Sequence, residues 1–95
     1  MTKRDKRLQR IRRNPKNVSF EALRQVLEDH GFTLERVSGS HHMFRAASLD
    51  QVWVLNVPLR KPHVKLAYVL EALRAIDAIQ EIIPQESEEN DGNPD

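Results

Sequence analysis

Two adjacent histidines, His41 and His42, follow Gly39 and Ser40 and lead into Met43, Phe44 and Arg45. An imidazole has an ordinary pKa of about 6.5, so it takes up and returns protons near neutral pH. Beside a bound RNA it can act as the general base that activates a ribose 2′-hydroxyl. Gly39 and Ser40 are residues that close tight hairpins, which puts the pair of histidines at the start of a strand. Side chains alternate between the two faces of a sheet. If Phe44 and Ala46 point at a core, His42 shares their side, whereas His41 lies outside with Met43 and Arg45. That parity selects His41 as the candidate catalytic base and keeps His42 as runner-up, should Met43 be the buried neighbour instead. Taken alone, a histidine in either place more often serves a structural or surface role than a catalytic one. Neighbouring strand histidines cannot easily share one ion, and no carboxylate stands at a ligand spacing from them, so neither a metal nor another cofactor is expected.

A second group of basic residues surrounds Pro62: Arg60, Lys61, His63 and Lys65. Proline suits the first position of a helix, where its missing amide hydrogen costs nothing. The segment therefore reads as a loop entering a helix, with His63 and Lys65 in the first turn, where free amides and the positive dipole end attract phosphate. Arg60, Lys61 and Lys65 are candidate phosphate ligands, and Arg45 is a candidate for offsetting charge in a phosphorane-like transition state. Plain solvation of these charges is the alternative. His30 precedes Gly31 at a helix end, where a cation is favourable against the dipole, which is a sufficient structural reason for it.

The elements that must hold these residues are legible from periodicity. Ser19 can cap a helix whose apolar stripe is Phe20, Leu23, Val26 and Leu27, with Glu21 in the first turn and Gly31 as the stop. Three β-favouring runs follow at 32–37, 42–46 and 52–57, joined by 38–40 and 47–51, short enough for antiparallel hairpins. Trp53, Leu55 and Val57 share one face of the third run, as core or as a platform for a splayed base. Pro58 ends that run, and a helix from Pro62 to about Ile83 presents Leu66, Val69, Leu70, Leu73, Ile76 and Ile83 before Pro84 terminates it. The expected class is α+β in the order α-β-β-β-α: a three-stranded antiparallel sheet with two helices on one face, a layout shared by double-stranded-RNA-binding domains.

At 95 residues the chain supports one domain. It has no cysteine, which excludes disulfides, thiolate metal sites and cysteine nucleophiles. The formal net charge of +1 hides segregation. Lys3, Arg4, Lys6, Arg7, Arg10, Arg12, Arg13 and Lys16 face only Asp5 in the first segment, whereas Glu86, Glu88, Glu89, Asp91 and Asp95 meet no base after Gln85. We therefore expect a basic N-terminal arm over 1–16, a folded domain over 17–84 and an acidic disordered tail over 85–95. Leu8 and Ile11 allow a marginal helix in the arm, which would guide phosphates electrostatically. The longest apolar run, Val52 to Leu55, is far short of the roughly 18 residues that span a bilayer, and no signal-peptide core precedes it, so a soluble cytoplasmic protein without membrane contact is expected.

The order of helix, Gly31 and Phe32, strand, the Gly39, Ser40, His41, His42, Phe44 motif, strand, Pro58 and helix resembles the HicA family of toxin and antitoxin modules over roughly residues 17 to 80. His41 falls on the motif histidine, Gly39 and Ser40 on its turn and Phe44 on its aromatic, with His42 the ambiguous neighbour. The resemblance implies a double-stranded-RNA-binding-domain-like fold, a metal-independent endoribonuclease (mRNA interferase) acting on mRNA, and a HicB-type antitoxin as partner. The competing expectations are a non-catalytic RNA-binding module of the same fold and a protein-interaction domain with no RNA role.

Overall fold

A computed structural model describes residues 2–48 and 50–82. The described residues form three helices and one sheet: α1 (Lys3–Arg13), a 3-10 turn (Pro15–Asn17), α2 (Phe20–Asp29), β1 (Thr33–Ser38), β2 (His41–Ala47), β3 (Val52–Pro58) and α3 (Leu66–Ile82). The strands pair antiparallel in the order β1-β2-β3, giving a small α+β domain.

The local causes of α2 are those read from the sequence. The Ser19 hydroxyl accepts a hydrogen bond from the Ala22 amide at 3.1 Å, and Phe20, Leu23, Val26 and Leu27 are all buried. Gly31, at φ 95°, takes the left-handed position that ends the helix. Along β2 and β3, Phe44, Ala46, Leu55 and Val57 are buried against the helices. Arg45, Val52 and Val54 face solvent, so one sheet face is covered and the other open. Trp53 is partly buried and packs on the core, as do Leu55 and Val57 within it.

One irregularity shifts the phase of β1. Leu34 stands opposite Phe44 and Arg36 opposite Met43, so Glu35 is the extra residue of a bulge. Beyond it Val37 pairs with His42, which pairs in turn with Val57, and these three share the helix-side face. Val37 is nevertheless 54% exposed. Among the described residues the helices leave the hairpin end of that face uncovered.

The residues ahead of Val18 belong to the same core. Leu8 and Ile11 on α1 are buried in one cluster with the α2, α3 and sheet side chains. Thr2 and Asp5 form a reciprocal capping box at the start of α1. Arg7 then donates two hydrogen bonds of 2.8 Å to the Asp29 carboxylate, and Arg12 one of 2.6 Å to Asp77. Residues 3–13, expected as an arm apart from the domain, form a helix that shares the domain's core.

The helix expected from Pro62 starts instead at Leu66. The cause is Val64, which is fully buried and whose amide donates to the Val18 carbonyl at 2.8 Å. That bond ties the chain alongside the strand-like entry to α2 and delays coiling; the Lys61-Pro62 peptide bond before it is cis. His63 therefore lies in the loop, and Lys65 precedes the first turn, its carbonyl accepting from Tyr68 at 3.0 Å. The apolar face of α3 is also rotated from expectation. Val69, Leu73 and Ile76 are buried, together with Ala72, Ala75 and Ile79, whereas Leu66 and Leu70 are 36% and 37% exposed at its flank. Ile83, Pro84 and the acidic tail lie outside the described residues. No helix among the described residues is long and apolar enough to cross a membrane.

Candidate functional site

The site is built on the β1-β2 turn. Ser38 pairs with His41, leaving Gly39 and Ser40 as the connection. Gly39 has φ 60°, the left-handed value that a tight hairpin requires at its first central position. The turn turns the Ser40 carbonyl toward the chain leaving β3, where it accepts the Leu59 amide at 2.6 Å and the His42 Nδ1 at 3.0 Å.

That second bond determines how His42 can react. A carbonyl oxygen only accepts, so Nδ1 carries the proton in the neutral ring and Nε2 is left with its lone pair. The ring lies against Phe20, with centroids 4.6 Å apart and planes tilted by 56°. Phe20 in turn sits 6.3 Å from Phe44, deeper in the core. His42 is thus half-buried, oriented on two sides, and reachable from the uncovered end of the sheet. His41 points to the opposite face and is exposed. The parity read from the sequence therefore holds, and it places the two imidazoles in very different settings.

An open cleft of about 530 Å³ runs between the first turn of α2, at Ser19, Phe20 and Glu21, and the loop of residues 59–62; His42 does not line it but touches its wall through Phe20. Phe20, Leu59 and Pro62 give it apolar walls, and Arg60 and Lys61 stand on its rim. Such a mixture suits a ring flanked by an anion. Arg60 and Lys61 are exposed, as phosphate ligands must be.

The other expected residues are not brought here. Arg45 lies on the outer face, where it pairs with Glu35 at 3.9 Å. It is four residues from His41, about 13 Å along an extended strand, so it cannot serve one reacting centre with it. Lys65 is exposed but does not line the cleft. His30 stands at the end of α2, where its Nδ1 donates to the Val26 carbonyl at 2.9 Å, a structural contact other than the interaction with the dipole expected of it. Among the described residues no three potential metal ligands come together.

Phe20 and Leu59 are the site residues that sequence reasoning missed. Phe20 satisfies the helical stripe and reads as core, which it also is. No family model, curated protein or solved structure matches the chain.

Proposed function

We propose that this protein is a metal-independent endoribonuclease of the HicA type, the toxin of a toxin and antitoxin pair, with a double-stranded-RNA-binding-domain-like fold and a histidine general base. The observation that carries the proposal is the His42 ring held by the Ser40 carbonyl against Phe20, a side chain that also lines a cleft together with Arg60 and Lys61. Between the two histidines, the geometry favours His42 over His41, because a base must be in the right tautomer and direction before its basicity matters.

In the proposed reaction His42 Nε2 takes the proton of a ribose 2′-hydroxyl. The 2′ oxygen attacks the adjacent phosphorus, and the bond from phosphorus to the 5′ oxygen breaks. Arg60 and Lys61 offset the charge added to the phosphate. The departing 5′ oxygen takes a proton from water, and the His42 imidazolium gives its proton to the hydroxide left behind, so the base is restored with a 2′,3′-cyclic phosphate on one fragment and a 5′-hydroxyl on the other. The substrate is mRNA, the compartment is the cytoplasm, and the partner is a HicB-type antitoxin that occludes this cleft.

The purified full chain, incubated with a short RNA in excess chelator, is expected to produce fragments with cyclic phosphate ends, and to leave the all-2′-O-methyl analogue intact. Cleavage of that analogue would exclude the 2′-hydroxyl as nucleophile. Tight binding of both oligonucleotides with neither cut would instead establish the non-catalytic RNA-binding module.

A further inference from the structure

Arg60 also lines a second concavity, with Lys16, Pro62, His63, Val64 and Leu66. At about 160 Å³ it is less than a third the size of its neighbour, which is about 530 Å³. Lys16, Arg60 and His63 bear nitrogen donors, and among the described residues no carboxylate lines the pocket. Lys16 is 44 positions before Arg60 in sequence; the hydrogen bond from the Val64 amide to the Val18 carbonyl brings the two segments together. A small concavity walled by cations, sharing Arg60 and Pro62 with a larger and more apolar one, has the division of a nucleotide into phosphate and base.

A second observation extends this away from the site. On α1 the exposed Lys3, Lys6, Arg10 and Arg13 recur at helical spacing, on the side opposite buried Leu8 and Ile11. None of the four makes an ion pair with a described residue, whereas Arg7 and Arg12 are engaged by Asp29 and Asp77. Lys6, Arg10 and Arg13 line a shallow groove of their own. The chain then passes from Arg13 to Lys16 in three residues.

We propose that a backbone phosphate of bound RNA, next to the one at the cut, occupies the pocket of Lys16, Arg60 and His63, and that the cationic stripe of α1 takes phosphates further along the strand. The proposal rests on RNA being the ligand. It makes the basic first segment a fixed part of the substrate track, contributing affinity without reading sequence.

The test uses the full chain and a fluorescent all-2′-O-methyl oligonucleotide, so that binding is read without cleavage. Anisotropy titrations over a range of salt are expected to show the Lys16→Gln, Arg60→Gln double variant binding about tenfold more weakly, with a salt slope shallower by about 0.7 to 1.4, the loss of one or two single-strand phosphate contacts, since Arg60 also meets the phosphate at the cut. Arg10→Gln with Arg13→Gln is expected to weaken binding similarly. Arg36→Gln with Arg74→Gln removes the same charge from exposed positions elsewhere and is expected to leave affinity within about twofold. Equal losses in all three double variants would overturn the pocket in favour of diffuse attraction. So would backbone amide resonances of His63 and Val64 that do not move on adding the oligonucleotide, or a wild-type chain that fails to bind it at low salt. Cleavage of unmodified RNA is scored separately. Cutting with no effect of Lys16 or Arg60 on binding would sink the pocket and spare the nuclease, whereas local loss of binding without any cutting would do the reverse.

Discussion

At His42 the Ser40 carbonyl fixes a tautomer, and Phe20 fixes a ring plane. A general base contributes about 10²–10⁴-fold to rate when its position is right. His42→Ala is therefore expected to slow RNA cleavage by about that factor, while His41→Ala, on the outer face, stays within a few-fold of wild type. A gel assay of both variants checks this, and the opposite ranking would return the role to His41. The faces of both histidines were legible in the sequence, since the period of two along a strand leaves no choice once Phe44 and Ala46 are inward. Their settings were not. Which ring is held depends on Leu59 returning to Ser40 and on Phe20 crossing above β2, and both are contacts between residues far apart in the chain. Parity alone selects His41, and it carries no information about the contacts that orient His42.

Among the elements, the β1-β2 turn and the docking of α1 make measurable claims. A Cβ added at Gly39 would meet nothing within 4 Å, so the cost of Gly39→Ala is the left-handed backbone alone. About 1 kcal/mol is expected from denaturant unfolding; a much larger loss would mean that the turn packs against something. On α1, the hydrogen bonds from Arg7 hold the Asp29 carboxyl below its ordinary value, opposed in part by its burial. A carboxyl lowered in the folded state contributes stability above its unfolded pKa, and that contribution is lost as pH falls through the lowered folded value. Asp29→Asn should therefore reduce the thermal midpoint most near neutral pH, with the gap to wild type closing in acid. A gap independent of pH would show that Asp29 acts through shape rather than charge. Sequence periodicity located α2 and all three strands to within a residue or two, because their apolar residues repeat with a single period between clear turn residues. It misplaced the start of α3 because Pro62 satisfies a local preference that Val64, tied to Val18, overrides. It misjudged the stripe of α3 because Ala72 and Ala75 are too small to outweigh Leu66 and Leu70 in a pattern count, yet let the helix approach the core closely.

For the molecule as a whole, the segregation of charge was plain in the sequence, but the place of its basic end was not. Only Leu8 and Ile11 are apolar in α1, too few to specify a helix without the surface that receives them. Both are buried, and fully burying a side chain of that size contributes about 1.5–3 kcal/mol. The two together are worth about 3–6 kcal/mol against a total stability of about 5–15 kcal/mol for a domain. Deleting residues 1–13 should therefore bring the fold close to the threshold of stability, with a broadened or lost unfolding transition, although residues 17–82 keep every strand and both helices flanking the sheet. A mobile arm would behave otherwise: its removal would leave the midpoint unchanged and weaken only the attraction for polyanions. Calorimetry on the shortened chain separates the two cases, and Leu8→Ala with Ile11→Ala in the full chain controls for charge, since it should reproduce the loss of stability while keeping every base of α1 in the sequence. If the shortened chain melts as sharply and as high as the full one, the core described for α1 does not hold the domain together. The stripe of Lys3, Lys6, Arg10 and Arg13 would then be an appendage and not a rigid track.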